Sequence, residues 1–365
     1  MRIAIVCHPT QGGSGIVATE LAEALARRGH RVHIVSCDRP FRLAVNSPVR
    51  YHRVNIFEYP LFRYPPHDLS LINKLMEVMV EENIDLVHAH YAVPHAIAAL
   101  IAGMVVPRVK VVATMHGTDI TLVGSHPDFF RLCSYTMEQC DGLTTVSAWL
   151  RDMTIEKFKL DRIPEVIHNF VDTSRFNPSG RREYAGDEFI LMHASNFRPV
   201  KRVADVVRVF YRVQRQVPAR LILTGTGPEL GLVRELCAEL GICDRVTFTG
   251  SVQQMEDLLR KAHLFLLLSE YESFGLSALE AMACGTPPAV SRAGGLVEVV
   301  EDERTGLLCE PDDLERTAAR IVTLLTDEAR WRAMSVAAAE RARREFSIDR
   351  LVSRYEELYQ RVLGG

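Results

Sequence analysis

Short apolar runs rich in isoleucine and valine alternate along the chain with longer amphipathic stretches. In the first half the runs fall at 2–7, 31–36, 49–54, 84–88, 109–114, 142–146 and 164–168. Most are continuously apolar, as expected of strands covered on both faces. Helical patterns lie between them. Residues 15–28 gather their apolar side chains on one face and stop at Gly29, a residue suited to ending a helix. The order strand–helix–strand–helix predicts a parallel, doubly wound sheet.

The pattern pauses over 169–187, which is polar and rich in turn formers and reads as a linker. It then restarts, with strands predicted at 188–194, 219–224, 245–249, 263–268, 287–291 and 306–308. Helices are predicted at 202–216, 228–240, 254–261, 275–284, 311–326 and 328–345. A last amphipathic helix, 348–362, is able to pack on either half. The fold class is therefore α/β, with two Rossmann-like domains in tandem. Open parallel sheets bind ligands beyond the carboxyl ends of their strands, so the cleft between two such sheets is the expected site.

Composition narrows the function. A chain of 365 residues fits about two domains. With 47% hydrophobic and 24% charged residues, a disordered chain or a fibre is excluded. The net charge of −3 lacks the basic excess of a nucleic-acid binder and gives no bulk attraction to a membrane. No run reaches the ~18 apolar residues of a membrane helix, and residues 1–7 are too short for a secretion signal. The eight cysteines contain no C-x-x-C pair, which argues against a zinc ribbon or a thioredoxin-type site. Reduced thiols in a cytoplasm are the simplest account.

Five segments carry candidate chemistry. Gln11-Gly12-Gly13-Ser14-Gly15 joins the first strand to the first helix. Its glycines allow a ligand close to the backbone, and the helix start favours an anion. The spacing does not meet the G-x-G-x-x-G dinucleotide fingerprint, and a plain tight turn is the alternative. His88-Ala89-His90-Tyr91, with His95 nearby, contains an H-x-H pair able to bind metal. No third ligand is evident locally, so Tyr91 at a cleft edge is the favoured reading. Thr114-Met115-His116-Gly117-Thr118-Asp119 places a histidine at a strand end, where a site belongs; the alternative is a loop capped by Thr and Asp. Arg198, Lys201 and Arg202 lie within five residues after Ser195-Asn196-Phe197 and suit a phosphate clamp, against the alternative of a solvated charge run. Finally, Glu272 and Glu280 stand eight apart in Ser269-Glu270-Tyr271-Glu272-Ser273-Phe274-Gly275-Leu276-Ser277-Ala278-Leu279-Glu280. The amides at Phe274 and Gly275 suit a diphosphate. Gly294-Gly295-Leu296 opens a loop suited to cover a sugar ring.

The E-x7-E segment, followed by Ala283-Cys284-Gly285-Thr286-Pro287 and the Gly-Gly-Leu loop, resembles the retaining GT-B glycosyltransferases of family 4. The resemblance covers nearly the whole chain. It implies two Rossmann-like domains with parallel sheets facing a central cleft, and a C-terminal helix crossing back to the first domain. The implied boundaries are 1–168 with 347–365 for acceptor binding, and 169–346 for the nucleotide sugar. No metal and no cofactor is implied.

The segments Gly12–Leu21, His88–Ala96, His116–Gly124 and Ser195–Arg202 resemble more closely the branch of that family that glycosylates L-malate at the start of bacillithiol biosynthesis. This implies UDP-N-acetylglucosamine as donor, L-malate as acceptor, and a homodimer. Many members of the wider family carry Gly-Arg where this chain has Ser195-Asn196, so Arg198 and Lys201 must supply the positive charge. On the donor side the implied residues are Gly13, Ser14, Asn196, Arg198 and Lys201. Glu272, Ser273, Phe274, Gly275, Leu276 and Glu280 complete that side, with Glu280 on the ribose. Ser14, Tyr91, Thr118 and Arg131 form the implied acceptor shell. His116, Arg198, Lys201 and Glu272 are the expected catalytic residues.

Three rival readings remain at this point. One is a family-4 enzyme acting on an inositol phosphate, which would want a larger basic cluster in the first domain. Another is a nicotinamide dehydrogenase on paired Rossmann domains, against which the absent fingerprint speaks. The third is a catalytically dead sugar-nucleotide sensor.

Overall fold

Arg2–Val6 (β1) opens a sheet of seven parallel strands whose spatial order is β3-β2-β1-β4-β5-β6-β7. The other strands are Arg31–Ser36 (β2), Arg50–Arg53 (β3), Leu86–His90 (β4), Lys110–Met115 (β5), Gly142–Thr145 (β6) and Glu165–Val166 (β7). Helices Gly13–Arg27 (α1), His67–Glu81 (α2), Ile97–Val105 (α3), Pro127–Gln139 (α4) and Ala148–Phe158 (α5) connect them. The computed structural model describes all residues except 11, 58–60, 62, 182–183, 185–187 and 365. Gln11 of the glycine-rich segment and part of the expected linker thus lie outside the described residues.

β1, an interior strand flanked by β2 and β4, is wholly buried from Ile3 to Val6, which is why that stretch is uniformly apolar. β4 runs on to His90 instead of stopping at 88, so His88 and His90 both lie inside the sheet and are fully buried. α1 begins at Gly13, two residues ahead of the predicted start. The predicted 164–168 strand shrinks to a two-residue edge paired to Thr144 and Thr145.

A second parallel sheet has the order β10-β9-β8-β11-β12-β13. Its strands are Phe189–Ala194 (β8), Ala219–Thr224 (β9), Val246–Gly250 (β10), Leu264–Leu267 (β11), Pro288–Ser291 (β12) and Leu307–Cys309 (β13). Val203–Gln214 (α6), Leu230–Glu239 (α7), Met255–Lys261 (α8), Leu276–Ala283 (α9), Leu296–Val299 (α10), Leu314–Leu325 (α11) and Glu328–Phe346 (α12) surround it. Its core joins Val206, Val207, Phe210 and Val213 of α6 to Leu191, Leu221 and Leu223 of the sheet and Ile321 of α11. These α6 positions follow helical spacing, so one apolar stripe meets the sheet.

The chain divides into two units, Met1–Asn169 with Ile348–Gly365, and Phe170–Ser347. Part of the expected linker is packed: Phe170, Val171 and Phe176 are buried, and Val171 bridges to Ser347. Ile348–Gly364 (α13) returns to the first unit, where it packs against α1, β5 and β6. Its Leu351, Val352, Tyr355 and Tyr359 are buried there. Among the described residues no helix is long and apolar enough to cross a membrane. The eight cysteines are free thiols, six of them buried; burial pushes Cys7 up to about 12, so it stays protonated.

Candidate functional site

In the first unit the functional side chains gather at the carboxyl ends of β1, β4 and β5. Gly12 caps α1 without a side-chain hydrogen bond, and no acidic residue fills the first turn. Its leading amides are therefore a place for a negative group. The glycines there differ in role. A Cβ on Gly15 would lie 2.6 Å from the His8 carbonyl, so the turn itself requires glycine. A Cβ on exposed Gly13 would meet nothing within 4 Å. Ser14 beside it is half-buried.

Tyr91, after β4, has a φ of 90°, a region that costs a non-glycine residue about 1–3 kcal/mol. Hydrogen bonds hold it: its N–H donates to the Thr114 carbonyl at 3.0 Å, and its carbonyl accepts from Ala96 at 3.1 Å. Its ring stacks on His116 at 5.8 Å and meets the edge of His8 at 5.2 Å.

His116, after β5, is 7% exposed. Its Nε2 lies 2.8 Å from His90 Nδ1, and His90 Nε2 is buried without a hydrogen-bond partner among the described residues. The His95 Nδ1–H donates to the His90 carbonyl at 2.5 Å. His88, on the same face as His90, is engaged through both nitrogens, with Tyr359 at 2.6 Å and Thr114 at 2.7 Å. That leaves the H-x-H pair without the shared open lone pairs a metal needs. Burial lowers all four histidines, taking His88, His95 and His116 to about 3, so they are neutral at pH 7.

Asp119 shapes this loop. Its Oδ1 accepts from the N–H of His116 at 3.0 Å and of Gly117 at 2.7 Å. Burial nevertheless pushes its carboxyl up to about 7, outweighing these bonds. Thr118 is half-buried between them. Arg131 is exposed on α4, the helix packed against the 92–96 turn. Sequence reasoning missed His8, whose ring lies 4.3 Å from that of His95; nothing in a lone histidine after an apolar run announces contacts made more than 80 residues away.

In the second unit the site forms where β8 and β11 end. The His193 Nδ1–H donates to the Leu266 carbonyl at 2.8 Å, so the neutral ring accepts at Nε2 from the Ser195 hydroxyl, also at 2.8 Å. Ser195 Oγ in turn accepts from the Phe197 N–H at 3.3 Å. This chain fixes the turn that exposes Asn196 and leads into Arg198 and Lys201. Arg198 is half-buried, its Nε without a hydrogen-bond partner among the described residues.

Lys201 and Glu272 pair directly, Nζ to Oε1 at 2.6 Å, with side-chain exposures of 17% and 12%. Ser269 donates to the same Oε1 at 2.8 Å. Two members of separate predicted motifs thus share one hydrogen-bonded cluster. Phe274 is buried in the core, edge-on to Phe346, so only its backbone is available to a ligand. Gly275 caps α9 with a φ of 94° and no side-chain cap, leaving the amides of Leu276 and Ser277 at an open helix start. Ser273 and Leu276 are half-buried, and Glu280 is buried one turn along α9. Gly295 donates to the Glu272 carbonyl at 2.8 Å, so the Gly-Gly loop braces the segment that carries the ion pair. A further glycine escaped the sequence reading: a Cβ on Gly225 (φ +119°) would lie 1.8 Å from the Ser195 carbonyl. The segment Thr224-Gly225-Thr226-Gly227 after a strand was the available signal.

Two family models match, Glycosyltransferase Family 4 over residues 11–175 and Glycosyl transferases group 1 over 178–344. N-acetyl-alpha-D-glucosaminyl L-malate synthase of Bacillus anthracis is 43% identical over 371 aligned positions, covering 100% of this chain and 97% of the relative. Among solved structures, sucrose-phosphate synthase from Thermosynechococcus elongatus superposes with a TM-score of 0.82 at 22% identity, covering 100% and 99% of the two chains. Anabaena HepE in complex with UDP and glucose gives 0.82 at 21%, covering 98% and 99%. Both structures are similar in fold.

Proposed function

The chain belongs to glycosyltransferase family 4, and from that premise we propose that it transfers N-acetylglucosamine from UDP-N-acetylglucosamine to the hydroxyl of L-malate, with retention, as the first step of bacillithiol biosynthesis. The observation that carries the choice of substrates is the end-to-end similarity to the malate synthase. The second unit binds the donor and the first binds the acceptor.

On the donor side, the departing diphosphate gains negative charge as the glycosidic bond breaks, and fixed cations and amides aimed at it lower the barrier. Arg198, Lys201 and the amides from Phe274 to Leu276 take that role. An ammonium has three N–H donors. Glu272 engages one of those on Lys201 and holds the amine in place, leaving two for phosphate oxygens. Glu272 Oε2 meets a donor-sugar hydroxyl, Glu280 accepts from the ribose, and Asn196 and Ser273 add polar contacts.

On the acceptor side, malate brings two carboxylates. Ser14 at the start of α1, the Arg131 guanidinium, Tyr91 and Thr118 receive them, while the bare backbone of Gly13 stays with the donor diphosphate. His116 keeps Nε2 on His90 and offers Nδ1 to the reacting sugar. Double displacement needs a carboxylate nucleophile at the anomeric carbon. Asp119 is already committed to its own loop's amides, which supports attack from the same face as the leaving group, with the donor phosphate taking the acceptor proton. Neither metal nor cofactor enters this scheme. On the family resemblance, the enzyme is a cytoplasmic homodimer working on small molecules.

The test is an acceptor panel with UDP-N-acetylglucosamine and EDTA, offering L-malate, D-malate and inositol 1-phosphate separately. Product mass showing N-acetylglucosaminyl malate with L-malate alone is the expected result. UDP release only with inositol phosphate would replace the acceptor; none with any acceptor would overturn the donor.

A further inference from the structure

His33 and His52 lie on adjacent strands at the β3 edge of the first sheet, where His52 is in register with Val35, two residues beyond His33. Residues two apart on a strand share a face, so both imidazoles project to the same side. His33 Nδ1 and His52 Nε2 are 2.9 Å apart. Glu82, the residue that caps the end of α2, places its Oε2 4.0 Å from His33 Nε2. One ligand atom from each of the three lies within 4.8 Å of the others, and among the described residues this is the group of three potential metal ligands that meets that condition.

We propose that His33, His52 and Glu82 bind a divalent transition-metal ion, Zn2+ being the best match to two imidazoles and a carboxylate. Water fills the fourth position. Zn–N bonds of about 2.0–2.1 Å in a tetrahedral site put two ligating nitrogens roughly 3.3 Å apart, so binding through His33 Nδ1 and His52 Nε2 opens their contact by about 0.4 Å, turns both lone pairs from each other to the ion, and draws the Glu82 carboxylate in to join them. His33 is 3% exposed while His52 and Glu82 are half-buried, which provides a fixed base and an open approach. Arg50 competes: its Nη1 donates to both Glu82 oxygens at 3.0 and 3.1 Å. The Arg50 side chain is 69% exposed and is able to swing away when a metal takes the carboxylate.

The ion has no part in sugar transfer. Three strand-to-strand steps separate β2 from β5, the strand that presents His116. Its effect is to tie β3, a four-residue edge strand, to β2 and to the end of α2. A short edge strand has few bonds of its own, and a ligand that binds only the folded chain raises stability by mass action.

The experiment uses the full-length, untagged chain stripped with EDTA, then titrated with zinc chloride against a chromophoric chelator, with Tm followed in parallel. The expected result is one Zn2+ per chain and a raised Tm. His52→Ala weakens binding at least tenfold and removes the Tm rise, whereas His126→Ala, on an exposed histidine elsewhere, changes neither. Arg50→Ala tightens binding, an outcome that general damage to the edge would not produce. Should His52→Ala fail to fold, Glu82→Gln at the helix end carries the same expectation of weaker binding. Absence of binding at micromolar zinc overturns the proposal, as does equal affinity in the ligand variants.

Discussion

His90 Nδ1 and His116 Nε2 face each other across 2.8 Å, both rings buried and neutral. One of the two nitrogens donates and the other accepts, so the tautomer of one ring sets that of the other. His90 therefore decides whether His116 Nδ1 meets a ligand as a donor or as an acceptor.

Removing His90 should show this. His90→Ala is expected to lower kcat by about tenfold or more, as loss of an orienting partner does elsewhere, with KM for the donor nearly unchanged. His90→Asn, which keeps a polar group at the Nδ1 position, should recover part of the loss. Steady-state kinetics on both variants are the check; equal loss in each would mean a purely structural role.

Lys201→Ala should reduce kcat by about 10²–10³, the range seen when a donor to a developing anion is lost. It also strips the cation from half-buried Glu272, leaving it the Ser269 hydroxyl. Arg131→Ala should instead raise the KM for malate while sparing the donor KM. Parallel substrate titrations distinguish the two, and equal changes in both KM values for Arg131→Ala would remove it from the acceptor shell.

Glycine substitutions separate folding from ligand approach. Gly225→Ala forces a Cβ to 1.8 Å from the Ser195 carbonyl and should destabilise the chain by about 3 kcal/mol. Gly13→Ala meets nothing and should leave Tm within a degree or two, yet lower activity if a substrate approaches that backbone. Denaturant melts together with turnover assays read the contrast.

The buried histidines set an acid limit. His88, His95 and His116 titrate near 3 in the folded chain and near 6.5 when unfolded. Below about 6.5 the unfolded chain binds more protons, so their stabilising contribution, complete above that pH, is lost as pH falls towards 3. Asp119 acts oppositely. Raised to about 7, it contributes stability below about 4 that is lost as pH rises through 7. In Asp119→Asn, urea midpoints measured from pH 4 to 7 should rise more steeply with pH than in the parent chain.

The strands were legible because both sheets bury both faces, and continuous apolar runs such as Ile3–Val6 and Leu264–Leu267 leave few other readings. The end of β4 was not, since hydropathy treats His88 and His90 as polar. Their burial is made possible by Tyr359, 271 residues away, and by His116. The motifs around Lys201 and Glu272 were visible separately, but their 2.6 Å pairing spans 71 residues and is a product of the β8–β11 neighbour relation. His33, His52 and Glu82 left no spacing signal at all, for they come from two strands and a helix end.

The return of α13 has a consequence for biogenesis. Tyr359, buried in the first unit against His88, leaves the ribosome only after all of residues 170–347. The second unit is continuous in sequence and is able to fold as it emerges, whereas the first must wait, its α13 docking surface open, until residues 348–364 have been made. Of the two units, the one that comes first in sequence is completed second, with long-range contacts that slow its closure and lengthen its exposure to aggregation and to chaperones.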